Sequence, residues 1–197
     1  MNFSSLESLP GGQPALPARS ISRRRALGAA ATVLAGAMLS PWRAVRASVT
    51  GSRTLSLLHT HTGEQLSVSY ATQASYLSDA LGTLNWFLRD FRNGAVHPID
   101  PRLLDQLHAL ATITGTHRPF QVISGYRSAA TNQALRARSG GVAEHSLHLE
   151  GRAIDIRLAD VPLADLRDAA QSLRAGGVGY YPGAQFVHVD TGAVRRW

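Results

Sequence analysis

Residues 146–155 read Ser146-Leu147-His148-Leu149-Glu150-Gly151-Arg152-Ala153-Ile154-Asp155, and the run continues as Ile156-Arg157-Leu158. From Arg152 onward apolar positions recur every second residue, the period of a strand. On such a strand Ile154, Ile156 and Leu158 face a core, while Ala153, Asp155 and Arg157 face the other way. Further on, Phe186-Val187-His188-Val189-Asp190 carries the same code, with Val187 and Val189 inward and Phe186, His188 and Asp190 opposite. Paired in matching register, the two strands make Asp155 and His188 neighbours on one sheet face, with Cβ atoms roughly 4.5–5.5 Å apart. His148 precedes the first strand, and Gly151 is small enough to let that loop fold back closely over the same face.

Two histidines and one carboxylate leave a fourth tetrahedral position for water, the arrangement of a catalytic rather than a structural zinc. An ion held there lowers the pKa of its water and polarises a carbonyl. The same three side chains also suit a hydrogen-bonded polar cluster without metal, and spacing alone leaves both readings open. The chain has no cysteine, so it has no disulfide and any metal site is built from His, Asp and Glu.

Between the two strands, Val161 to Ala175 reads as a helix with Pro162 in its first turn, Leu163, Leu166, Ala170 and Leu173 inward, and Gly176-Gly177 as its stop. Val178 to Tyr181 and Phe186 to Asp190 then form a hairpin turning at Pro182-Gly183. Upstream, Pro119 to Ser124 is a buried strand running into Gly125-Tyr126-Arg127-Ser128 and a helix capped by Ser128, with Leu135 on its inner face. Arg127 thus sits at a strand-to-helix junction, where a rigid scaffold aims a functional side chain. The plainer alternative is that it pairs with a surface carboxylate. Ser139-Gly140-Gly141 reads as a flexible link.

Earlier still, Leu77, Leu81, Leu84, Leu88 and Phe91 mark one face of a helix over Tyr76 to Phe91. Asp100-Pro101 opens a second helix, with Leu103, Leu104, Leu107 and Leu110 inward and an end before Gly115. His108 lies within it as a packed or half-exposed residue. Thr54 to Leu58 and Gln65 to Tyr70 form a first hairpin around Gly63, and His59 and His61 at its mouth read as polar loop residues. Helices and short strands mixed in this way, with no internal repeat, indicate one α+β domain over residues 48–197.

Residues 1–47 are different in kind. Ser22-Arg23-Arg24-Arg25-Ala26-Leu27 precedes an apolar, small-residue run from Gly28 to Leu39, and Val45-Arg46-Ala47 has small residues at the −3 and −1 positions of a cleavage site before Ser48. The run is short for a membrane span, and the paired arginines resemble a twin-arginine export signal, departing from it at Ala26. An uncleaved N-terminal anchor is the alternative. The leader also explains the net charge of +7: it holds six arginines and one acid, which leaves fourteen basic against twelve acidic residues, a net of +2, beyond Ala47. No nucleic-acid surface is indicated. Every basic residue is arginine, a pattern that GC-rich coding produces. Hydrophobic residues make up 44% of the 197, enough for a packed core, and no further apolar run of membrane length follows the leader.

Ser146-x-His148-x-x-Gly151-x-Ala153-x-Asp155, with Phe186-Val187-His188-x-Asp190, resembles the zinc peptidases of the lysostaphin, D-Ala-D-Ala carboxypeptidase and hedgehog fold group. Leu57 to Gly63, Leu84-Asn85-x-Phe87, Arg89-Asp90, Ile99-Asp100-Pro101, Ile123 to Ser128 and Ala175 to Pro182 extend the likeness to the murein endopeptidase K family, over nearly all of residues 48–197. The resemblance implies a small antiparallel sheet carrying Zn2+ on His148, Asp155 and His188. It also implies hydrolysis of peptide cross-links between peptidoglycan stem peptides in the periplasm, for wall remodelling. Arg127 matches the group's arginine near the scissile carbonyl, where it stabilises an oxyanion or holds a substrate carboxylate. Many group members place Glu three residues, or His two residues, before the last ligand, whereas this chain has Gln185 and Phe186. Asp190, His145 and Glu144 are the candidate proton acceptors, and orienting His188 is the alternative role for Asp190. The missing acid also motivates two other readings: a non-catalytic zinc protein that binds or regulates the wall, and a D,D- or L,D-carboxypeptidase trimming uncross-linked stems.

Overall fold

Leu55 and Leu57, Phe120 and Val122, Ile154 and Ile156, and Val187 and Val189 are all buried, each pair two residues apart on its strand. Side chains two apart on a strand share a face, so these pairs make one continuous apolar sheet surface. The computed structural model describes residues 51–138 and 143–197, so the expected leader and the Ser139-Gly140-Gly141 link lie outside the described residues. Its strands are β1 (Arg53–His59), β2 (Gln65–Ala71), β3 (Phe120–Ser124), β4 (Ala153–Arg157), β5 (Gly177–Tyr181), β6 (Phe186–Asp190) and β7 (Arg195–Arg196). They form one sheet in the order β2-β1-β3-β4-β6-β5-β7. The stretch β3-β4-β6-β5 is antiparallel throughout, and parallel pairs β1–β3 and β5–β7 flank it.

Four helices complete the domain: α1 (Ser78–Phe87), α2 (Pro101–Thr114), α3 (Ala129–Arg138) and α4 (Leu163–Leu173). α2 and α4 pack on each other, α2 against β1 and α4 against β5 and β6. α2 starts as its sequence dictates: the Asp100 carboxylate accepts the Arg102 N–H, Pro101 fills the first turn, and Gly115 ends the helix at φ 64°. Its Leu103, Leu104, Leu107 and Leu110 are fully buried. None of the described helices is long and apolar enough to cross a membrane.

Several local expectations are corrected. α1 stops at Phe87 rather than Phe91, because the chain beyond it is committed elsewhere. The Leu88 carbonyl accepts the Tyr126 N–H at 2.9 Å, and Asp90 turns its carboxylate to Ser128. His59 is not a loop residue: it is fully buried against Phe87 and Phe91, its Nδ1 accepts the His61 N–H, and its Nε2 has no partner. Burial pushes its pKa down to about 4. On α3 the buried positions are Thr131 and Asn132, with Leu135 only half-buried. α4 is closed by Arg174 at φ 49°, not by Gly176-Gly177. Those glycines answer to packing instead, since a Cβ on Gly176 would lie 1.7 Å from the Asp190 carbonyl oxygen. In the β5–β6 turn the positive φ, 57°, falls on Gln185 rather than on Gly183.

Candidate metal centre

β4 and β6 pair in the register that alternation requires, with Asp155 opposite His188 and Ala153 opposite Asp190. His148 reaches the same place from a 3-10 helix, Leu147–Glu150, that ends on Gly151 at φ 64°. Gly151 is needed for that left-handed turn and for its fit against Pro98, whose carbonyl oxygen lies 2.2 Å from where a Cβ would stand; closeness to a metal is not its constraint. The three side chains are buried and bring one ligand atom each together. His148 Nε2 lies 3.2 Å from His188 Nδ1 and 3.3 Å from Asp155 Oδ1, and His188 Nδ1 lies 2.9 Å from Asp155 Oδ1.

The far nitrogens decide what this triangle is for. His148 Nδ1 lies 2.7 Å from the Gly125 carbonyl oxygen, which only accepts, so that nitrogen carries the proton. His188 Nε2 lies 3.0 Å from Asp190 Oδ2, and the same logic puts a proton there. Each ring therefore turns a lone pair inward, toward the Asp155 oxygen. Three acceptors this close repel unless a cation sits among them. Bonds of about 2.0–2.1 Å from a tetrahedral ion need ligand atoms about 3.3 Å apart, which these edges approach. Without an ion His188 is the ring that protonates more readily: burial disfavours its protonation, but Asp155 and Asp190 outweigh burial and raise its pKa. His148 is lowered, chiefly by burial. Burial alone would raise the Asp155 carboxyl, yet the two histidines and Arg127 hold it well below the usual carboxylate range. The donor set thus fits a metal ion, whose binding displaces a proton.

Arg127 comes to the site from the β3–α3 junction. Its Nη2 donates to Asp155 Oδ2, the oxygen turned away from the histidines, its Nε donates to Ser124 Oγ at 2.9 Å, and its backbone N–H reaches the His148 carbonyl at 3.0 Å. The partner is thus a buried carboxylate of the site, not a surface one. Arg127 and the three candidate ligands open onto a cavity of about 520 Å³ lined also by His145, Leu147, Tyr181, Phe186 and Trp197.

A family model described as peptidoglycan L,D-endopeptidase MepK matches residues 47–197. The chain belongs to that family. Peptidoglycan L,D-endopeptidase MepK of Escherichia coli strain K12 is 44% identical over 176 residues, covering 89% of this chain and 97% of that protein. The probable peptidoglycan L,D-endopeptidase MepK of Haemophilus influenzae is also 44% identical, over 146 residues, 74% of this chain and 78% of that one. A solved structure, the L-Ala D-Glu endopeptidase ChiX of Serratia marcescens, shares 18% identity at a TM-score of 0.33, covering 48% of this chain and 68% of that one, a likeness too slight to bear on the fold.

Within this family member, the candidate proton acceptors stand in different places. Asp190 is fully buried and does not line the cavity: Oδ1 accepts the Gly177 and Gly192 N–H groups, and Arg195 spans both oxygens. Burial would raise its carboxyl, but these donors and His188 hold it far below the ordinary range. Glu144 is exposed and paired with Arg136 at 3.0 Å, also off the cavity wall. His145 is on the wall. Gln185 folds its amide back onto the Pro182 carbonyl and takes no part in the cavity.

Sequence reasoning gave Asp90 no role beyond its place in the Arg89-Asp90 likeness. Fully buried, it accepts both the N–H and the hydroxyl of Ser128, at 3.0 and 2.8 Å, while Ser128 Oγ accepts the Thr131 N–H, so two residues cap α3 and hold the segment bearing Arg127. Also missed were Trp197, Arg195 and Tyr181. Trp197 and Arg195 belong to no motif and reach the site through the pairing of β5 with β7, whereas Tyr181, inside the Ala175 to Pro182 likeness, stands on β5 opposite Phe186 of β6.

Proposed function

We propose that this chain is a zinc-dependent peptidoglycan endopeptidase that hydrolyses peptide cross-links between stem peptides. The observation that carries the reading is the pair of fixed histidine tautomers, which aim two lone pairs and one carboxylate oxygen at a single point on a cavity wall. Hard and borderline ions both accept such a set, and two imidazoles with one carboxylate suit zinc best. Zinc held by His148, Asp155 and His188 supplies an activated water and a polarised scissile carbonyl.

The chain's own residues do the rest. Gly125 and Asp190 keep the protons on His148 Nδ1 and His188 Nε2, so that both rings stay turned toward the ion. Arg127, fixed by Ser124 and Asp155 at the cavity edge, offers its guanidinium to the oxygen that gains charge as water adds. His145 takes the proton from water, a role supported by its place on the wall and by the saturation of Asp190. The relatives' printed name concerns an L,D bond. A link from D-Ala to diaminopimelate has a D carbonyl component, so the diaminopimelate-to-diaminopimelate link is the cross-link that fits. The leader at residues 1–47 exports the domain to the periplasm by the twin-arginine route; the family match that starts at residue 47 supports the boundary, and the paired arginines ahead of the apolar run support the route.

Mass spectrometry of muropeptide digests, with and without chelator, tests this for the wild type and His188→Ala. Cross-linked dimers are cleaved by the zinc-loaded wild type only. A zinc-loaded chain that cleaves no cross-linked dimer refutes the reading. Binding to sacculi without product then identifies a non-catalytic wall protein, and trimming of uncross-linked stems a carboxypeptidase.

A further inference from the structure

Across the metal-bearing face, β4, β6 and β5 line up Asp155, His188 and Gly179 as direct neighbours. The third position has no side chain, and the space it leaves is filled from elsewhere. A Cβ on Gly179 would stand 2.8 and 2.9 Å from two carbons of the Trp197 indole and 2.8 Å from the Tyr181 ring. The φ of Gly179 is not in the left-handed region, so its lack of a side chain answers to this packing and not to backbone conformation.

Trp197 is held on every side that the structure can reach. Its N–H donates to the Val178 carbonyl and its carbonyl accepts the Tyr180 N–H, at 3.2 and 3.0 Å. Its indole N–H donates to the Tyr181 hydroxyl at 2.7 Å, and the Arg195 guanidinium lies 4.9 Å from its ring. The ring centroid is 5.3 Å from that of His188. Yet Trp197 remains 50% exposed, and it lines the cavity together with Tyr181 and Phe186, whose rings stack at 4.6 Å. A large ring fixed in place but left half-open beside a metal ligand is built to be covered by something else.

We propose that Trp197, seated on Gly179, is a substrate-binding residue whose indole packs against the aliphatic chain of the cross-linking residue beside the scissile bond. This rests on the peptidoglycan reading for the identity of the chain it covers. Binding energy from such a contact is present in both ground and transition states, so it acts on KM.

The test uses the full chain and a purified diaminopimelate cross-linked muropeptide dimer, titrated calorimetrically into metal-stripped protein and then cleaved by zinc-loaded protein. Trp197→Ala weakens dimer binding about tenfold, the loss of a buried aromatic anchor, and raises KM alike, with kcat within about threefold and zinc content unchanged. Gly179→Ala, whose methyl meets ring carbons of Trp197 and Tyr181 first and displaces the indole, does the same. Trp197→Phe, which keeps a ring, stays within about threefold of wild type. Wild-type dimer affinity in both Trp197→Ala and Gly179→Ala overturns the proposal, as does a wild type that does not bind the dimer. A wild type that binds the dimer but never cleaves it removes the endopeptidase reading alone, and the three affinities still decide the role of Trp197.

Discussion

Replacing Asp190 by asparagine separates an orienting carboxylate from a proton acceptor. Asp190 Oδ1 accepts the Gly177 N–H at 2.9 Å, the Gly192 N–H at 2.8 Å and Arg195 Nη1 at 3.2 Å, while Oδ2 accepts from His188 Nε2 at 3.0 Å and Arg195 Nη2 at 2.8 Å. Every neighbour is a donor, so an amide NH2 group meets a donor whichever way it turns. If the amide oxygen keeps the two backbone groups, His188 and Arg195 Nη2 lose their acceptor. Each buried donor so stranded costs about 1–3 kcal/mol. Arg195 is half-exposed and recovers part of its loss in water, so the sum comes to about 2–4 kcal/mol. With nothing to fix its tautomer, His188 also loses about 10–100-fold in metal affinity. Chelated protein unfolded in denaturant gives the first number, and competition against a chromophoric chelator gives the second. The pH dependence has a definite sign. The Asp190 carboxyl is depressed on folding, so its stabilisation is present above the unfolded value of about 3.9 and is lost as pH falls through the folded one. Asp190→Asn therefore flattens stability below about pH 4. Wild-type stability and metal affinity, with turnover abolished, would refute this account and make Asp190 the proton acceptor.

Arg127→Lys keeps one positive charge but cannot span Ser124 and Asp155 together, so kcat falls about 100-fold at full zinc content; unchanged turnover would exclude a role at the oxyanion. Gly151→Ala forces a side chain into a left-handed turn against the Pro98 carbonyl, costing about 2–4 kcal/mol in denaturant melts and weakening metal binding as the His148 loop shifts. His59 must gain a proton when the chain unfolds in mild acid, since its pKa is pushed down to about 4 against 6.5. The unfolded state then binds more protons, so stability drops as pH falls from 6.5 toward 4, by at most about 3 kcal/mol. His59→Leu removes that slope, which melts at pH 4.5 and 7 measure directly.

The heart of the site was legible because it is written in period two. Ile154, Ile156, Val187 and Val189 have to face the core, which leaves Asp155 and His188 on the other face in a register that a one-residue slip would invert. Asp100-Pro101 was equally plain, because a cap acts on its own next turn. What escaped was set by partners far along the chain. The apolar spacing of α1 runs on to Phe91, but the Leu88 carbonyl and the Asp90 carboxylate are claimed by Tyr126 and Ser128. His59 looked polar by type and is buried by the aromatic rings around it. Gly176 and Gly177 read as a helix stop and Gly179 as one more strand residue; they are clearances for Asp190, Arg195 and Trp197. A glycine in sequence does not say whether it serves a dihedral angle or a neighbour.

The early end of α1 has a consequence for when the protein becomes competent. His188 and Asp155 come together as soon as β4 and β6 pair, whereas the segment bearing Arg127 hangs on a carbonyl and a carboxylate contributed by residues 88 and 90. The Asp90–Ser128 contact spans 38 residues of chain and the Asp155–His188 contact 33. A chain in which α1 has not docked can bring Asp155 and His188 together on the central strands but leaves the backbone on either side of Arg127 without its hold on residues 88 and 90. Under the role proposed for Arg127, docking of α1 is what completes the site.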